Sequence, residues 1–99
     1  MMEMKEMKMV DELLQFVVKD KKYLSVSSSG NRWYVKFCPK SNLAGVALLM
    51  IRCGEKFSVS DYSKSEEFDT FKDFKSKFIE VLNSDEISSR IKLMKKFYR

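Results

Sequence analysis

The stretch from Tyr23 to Cys38 constrains the fold more than any other part of the chain. Two runs of alternating apolar and polar residues flank Gly30-Asn31, a two-residue loop of the kind that closes a tight β-hairpin. Pairing Ser29 with Arg32 sets a ladder in which Ser28 meets Trp33, Ser27 meets Tyr34, and Val26 meets Val35. It continues through Ser25–Lys36, Leu24–Phe37 and Tyr23–Cys38. Side chains alternate between the two faces of a strand. One face therefore collects Leu24, Val26, Trp33, Val35 and Phe37, and it must rest on a core. The other carries Tyr23, Ser25, Ser27, Arg32, Tyr34 and Lys36, with rings set beside cations.

The apolar run over residues 43–53 suits a helix or a buried strand by content alone. Its neighbours favour a strand. Pro39-Lys40-Ser41-Asn42 reads as a turn, and Gly54-Glu55 reads as a second two-residue loop ahead of the alternating Phe57 and Val59. With residues 39–42 as the loop, Phe37 pairs with Ala44, Val35 with Val46 and Trp33 with Leu48. Across the next turn Met50 meets Val59 and Arg52 meets Phe57. The inner face then gains Val46, Leu48, Met50, Phe57 and Val59. The outer face gains Leu43, Ala47, Leu49, Ile51 and Cys53. The expectation is a four-stranded antiparallel meander.

Helices flank these strands. Met7, Val10, Leu14 and Val17, widened by Leu13 and Val18, predict an amphipathic helix over residues 3–19. Ser63-Lys64-Ser65-Glu66 matches a capping box, with Ser65 as an alternative cap. Phe68, Phe71, Phe74, Phe78 and Leu82 then form an apolar stripe reaching Asn83, read as core. Ser84 caps a last helix with Ile87, Ile91, Met94 and Tyr98 on one face and Lys92, Lys95, Lys96 and Arg99 on the other. The order is α-β-β-β-β-α-α, one α+β domain over residues 1–99 with helices laid on an antiparallel sheet.

Composition narrows the chemistry. Nothing among the 99 residues is histidine, which removes the commonest metal ligand and the usual base near neutral pH. Glycines are isolated, so no phosphate loop is present. Cys38 and Cys53 fall at opposite ends of neighbouring strands, about 30 Å apart at ~3.3 Å per residue. A disulfide needs Cα atoms within about 7 Å, so both are read as reduced packing residues. The acidic pairs Glu66/Glu67 and Asp69/Asp73 are placed on a lysine-rich helix and read as solvated ion-pairing faces. These features predict a non-enzymatic protein with no catalytic residues, no cofactor and no metal. The longest apolar run is too short to span a membrane and no secretory h-region opens the chain, which predicts a cytoplasmic protein.

Binding is then the expected role, and two versions compete. The formal charge is +5, with seven bases against two acids over residues 21–62 and five against two over residues 85–99. Tyr23, Arg32, Tyr34 and Lys36 on the hairpin, with Lys92, Lys95, Lys96 and Arg99 on the last helix, form a candidate nucleic-acid surface. Against this, Leu43, Ala47, Leu49 and Ile51 would crowd the same open face with aliphatics, and such a patch calls for a cover. The N-terminal or C-terminal helix could supply it, as could a second copy of the chain in a two-fold dimer, and a partner protein could cover either strand three or the methionine-bearing first helix. The leading expectation is a small dimeric interaction or assembly module, with nucleic-acid binding as the alternative.

Two resemblances bear on this choice. Four strands followed by a helix, from Lys22 to Asn83, is similar in topology to the Whirly group of single-strand-binding domains, without a shared motif. A double-stranded RNA-binding domain fits less well, lacking its basic, glycine-containing helix start. The Met- and Lys-rich opening and the stretch Asn31 to Lys40 resemble small orphan proteins of filamentous, lipothrixvirus-like viruses of thermophilic archaea. That likeness implies a compact, heat- and acid-resistant viral protein made in the host cytoplasm. It supplies no site residues.

Overall fold

The hairpin forms with the register its alternation dictates. In the computed structural model, which describes residues 4–38, 45–61 and 63–97, β1 (Leu24–Ser29) pairs antiparallel with β2 (Arg32–Phe37) from Ser29↔Arg32 to Leu24↔Phe37. Gly30 takes φ 61°, a left-handed conformation that an ordinary side chain resists. The Cys38 N–H donates to the Tyr23 carbonyl at 2.7 Å and extends the ladder by one rung.

Beyond the hairpin the sheet has five strands, in the order β1-β2-β3-β4-β5, each antiparallel to its neighbours. β3 is Val46–Cys53, β4 is Phe57–Ser60 and β5 is Ser65–Phe68. The four-strand expectation is thus corrected by one strand. Asp61 explains why. Its Oδ1 accepts from the Ser63 N–H (2.7 Å), the Ser63 hydroxyl (2.7 Å) and the Lys64 N–H (2.9 Å). Burial pushes its pKa up, but these bonds from Ser63 and Lys64, aided by the charge of Arg90, outweigh that and hold the carboxyl below the ordinary aspartate range. Ser63 to Glu66 therefore make a turn and the start of a strand rather than a helix cap. Glu66 and Glu67 put charge on an edge strand, where it discourages pairing with another chain.

The register of β3 departs from expectation as well. Phe37 pairs with Val46, two residues later than the short loop allows, and that shift alone leaves the faces unchanged. A bulge then intervenes, because Lys36 pairs with Ala47 while Val35 pairs with Leu49. Leu48 is the extra residue, and one extra residue reverses which side chains point inward. On the far side three residues, 54–56, separate β3 from β4, so Ile51 meets Val59 and Cys53 meets Phe57. Gly45 fits the crowded approach to β3, since a Cβ there would lie 2.5 Å from Cys38 Sγ and 2.8 Å from Lys36 Cβ.

All three helices serve the core on one side of the sheet. α1 (Met4–Val18) buries Val10, Leu14 and Val18, four residues apart on a single stripe, and packs on β1 and β3. The Trp33 indole N–H donates to Asp11 Oδ1 at 3.1 Å, giving a nearly buried ring a polar partner on that helix. α2 (Phe71–Leu82) is capped by Thr70, whose hydroxyl accepts from the Asp73 N–H at 3.2 Å, and it buries Phe74, Phe78 and Leu82. Phe68, expected to open this helix, instead sits on β5 opposite Phe57. α3 (Asp85–Phe97) starts at Ser84, whose hydroxyl accepts from the Ile87 N–H at 3.3 Å, and it buries Ile87. No helix among the described residues is long and apolar enough to cross a membrane.

Candidate functional site

With the helices stacked on one face, no described element covers the opposite face of the sheet, called here the open face. The pairings sort its outward residues into rows that cross the strands. The first row runs Ser29, Arg32, Arg52, Ser58 and Glu67. The second runs Ser27, Tyr34, Met50, Ser60 and Ser65, and the third holds Ser25, Lys36 and Ala47. Serine is the commonest residue on this face, so its relief is low. Tyr34, Met50 and three cations stand above it. Ser60 and Ser65 tie β4 to β5 through their hydroxyls at 2.8 Å.

The open face lacks the aliphatic patch expected from an unbulged β3. Leu49 and Ile51 are 1% and 0% exposed and belong to the core, while Ala47 is exposed and small. Neither Leu49 nor Ile51 can form a surface interface in this fold, because the bulge turned both inward. Leu43 lies outside the described residues. Met50, expected inside, stands outside and half-buried beside Tyr34.

The bulge also brings out a residue that the sequence reading placed against Phe57. Arg52 lies directly opposite Arg32. The Cys53 N–H donates to the Asn31 carbonyl at 2.9 Å, so Asn31 and Cys53 occupy a hydrogen-bonding rung. The next rung, Arg32 and Arg52, is then of the non-hydrogen-bonded kind, in which Cα atoms lie about 4.5 Å apart and side chains run close. Like charges directly opposite are unfavourable. Among the described residues neither guanidinium makes an ion pair. Glu67, the carboxylate of the same row, is two strands from Arg52, about 10 Å at ~4.8 Å per strand. Glu55 and Glu67 line one concavity with Arg52, Lys56 and Ser58, without an ion pair to the guanidinium. The first signal of this pair in the sequence was the arginine at position 52, and the register alone could reveal it.

Of the eight candidate nucleic-acid residues, the seven that are described divide between two sides of the molecule. Arg32, Tyr34 and Lys36 stand on the open face. Tyr23 precedes β1, and its ring swings onto the core side, stacking on buried Phe37 at 5.8 Å between centroids. Lys95 Nζ lies over the other part of that ring, 4.4 Å from its centroid. Lys92, Lys95 and Lys96 are exposed on α3, within the helical layer, so they cannot act together with the sheet face. Arg99 lies outside the described residues.

Elsewhere the chemistry is sparse. Both thiols are free, Cys38 half-buried with Sγ 3.1 Å from the Ser25 hydroxyl, Cys53 buried. Burial, with the nearby charge of Glu6, pushes the Cys53 thiol pKa up and away from the reactive thiolate. Among the described residues no three His, Cys, Asp or Glu side chains converge as metal ligands would. A flat cationic face with one upstanding ring can hold anions and stack planar groups. No protein-family model matches the chain, and neither a curated protein nor a solved structure does. The helix that follows β4 in the single-strand-binding topology is here preceded by β5.

Proposed function

We propose that this protein is a non-enzymatic nucleic-acid-binding domain that works through the open face of its sheet. The observation that carries the reading is the row structure of that face. Arg32, Lys36 and Arg52 stand on the same face as Tyr34, with Glu67 in the first row and Glu55 lining a concavity beside Arg52. The serines flanking them leave the cations accessible and supply hydroxyl donors for phosphate oxygens. The expected competitor, a hydrophobic cover over β3, has lost its aliphatic patch to the core.

Salt tests this directly. If each of the three cations neutralises one phosphate, the logarithm of affinity should fall against the logarithm of salt concentration with a slope of about −2 to −3. Fluorescence anisotropy with labelled oligonucleotides measures it. Absence of binding at low salt sinks the reading.

Self-association is the second reading, favoured by a different observation. Leu93 and Phe97 lie one turn apart on α3, 55% and 77% exposed, and form an apolar strip outside the core. A two-fold dimer would bury that strip against its copy. Light scattering should then show a mass that halves on dilution and stays monomeric in the Leu93→Glu, Phe97→Glu variant. A monomer at the highest concentration reached removes this reading.

A further inference from the structure

We propose that the ligand of the open face is single-stranded nucleic acid, with one base stacked on Tyr34 and a phosphate held between Arg32 and Arg52. This rests on the nucleic-acid reading above and narrows it to one class of strand.

Shape excludes the duplex first. Five strands spaced at ~4.8 Å make a sheet about 19 Å wide. A major groove is about 12 Å wide and admits a helix or a two-stranded ribbon, not a broad sheet. The three helices lie on the opposite side, so a helix entering a groove would leave this face unused. A duplex resting on this face would offer its phosphate ridges and keep its bases stacked out of reach, leaving the Tyr34 ring without a role.

A single strand uses what the face provides. Tyr34 occupies the middle row between Ser27 and Met50, with Arg32 and Lys36 two residues before and after it on the same strand. Alternate residues on a strand are about 7 Å apart, so the two cations bracket the ring over about 13 Å. Among the described residues Tyr34 makes no ring contact and its hydroxyl no hydrogen bond, so its upper surface is unclaimed. Met50 beside it adds a polarisable, adaptable flank. Unpaired bases stack on such rings with little regard for sequence.

The arginine pair supplies the anion site. Like charges directly opposite on one close rung are unfavourable, and among the described residues neither Glu67 of the same row nor Glu55 of the next turn forms an ion pair with either arginine. A phosphate between them removes the repulsion and accepts hydrogen bonds from both forks. The pair thus makes the empty sheet less stable and the occupied sheet more so. That opposition separates a binding role from ordinary surface charge.

The test uses the full chain with labelled single-stranded DNA, single-stranded RNA and duplex DNA of equal length. The single strands should bind about tenfold tighter than the duplex, and comparison of the two shows whether the sugar hydroxyl is sensed. Tyr34→Leu should weaken single-strand binding about tenfold, while Tyr34→Trp should retain it. Arg52→Thr should weaken binding, flatten the salt slope by about 1 and raise Tm, because it relieves the repulsion and suits a strand. Equal affinity for the duplex, or an unchanged affinity in Tyr34→Leu, overturns the single-strand inference. A salt slope still flattened by Arg52→Thr in that case leaves the broader nucleic-acid reading standing. Polyglutamate competing as well as oligonucleotides overturns both.

Discussion

Phe74→Ala is expected to remove about 3–5 kcal/mol of folding stability. A chain of this length has only about 5–15 kcal/mol in total, so the variant should be largely unfolded on modest warming. The reason is the place of this ring. Phe74 is fully buried on α2, and its centroid lies 5.4 Å from Phe57 of β4, 5.8 Å from Phe71 and 6.0 Å from Phe78. Removing it opens a cavity where helix meets sheet and strips three rings of a neighbour. Phe16→Ala is the control, since that ring is 72% exposed and its loss should change stability by no more than about 0.5 kcal/mol. Urea denaturation with an unchanged m-value measures both. Equal midpoints for the two variants would show that the aromatic column does not hold α2 to the sheet.

Ile51→Lys and Met50→Lys should differ more sharply than any other neighbouring pair in the chain. Ile51 is fully buried, opposite Trp33 on one side and Val59 on the other. A lysine there would bury a charge with no partner, a cost of several kcal/mol that the domain cannot bear. Met50 faces outward between Tyr34 and Ser60, where a lysine should cost no more than about 1 kcal/mol. On the nucleic-acid reading it should also tighten oligonucleotide binding, since it adds a cation to the middle row. Circular dichroism and thermal melting decide the matter. If Met50→Lys unfolds the chain and Ile51→Lys does not, the bulge at Leu48 is wrong and the open face is differently composed.

The bulge also governs the functional reading. With Leu49 and Ile51 outside, β3 would need a cover and the cations of β2 would lie at its margin. With them inside, Arg52 comes to lie opposite Arg32 and the face becomes largely polar, Met50 and Ala47 being its apolar members. One inserted residue thus exchanges a hydrophobic interface for a cationic one. The described candidates for nucleic-acid contact also separate, for a reason independent of the bulge. Tyr23 follows the turn after α1 onto Phe37, and α3 carries Lys95 to it, so both belong to the helical side.

What the sequence determined by itself was the local order. Alternation around Gly30-Asn31 set the β1–β2 register, the four-residue spacing of Val10, Leu14 and Val18 set the buried stripe of α1, and Ser84 set the start of α3. Each depends on residues a few positions apart, where periodicity and hydrogen-bonding chemistry are sufficient. The tertiary structure alone decided β5 and the register of β3. Ser65 to Phe68 carries weak strand character and pairs because Asp61 closes the turn, Phe68 meets Phe57, and Lys77 on α2 reaches Glu66 at 3.5 Å. In β3 both faces of the apolar run are hydrophobic enough to be buried, so the pattern is indifferent to a shift of one. Packing against α1 and α2 selected Leu49, Ile51 and Cys53 for the core, and Arg52 reached the open face as the consequence.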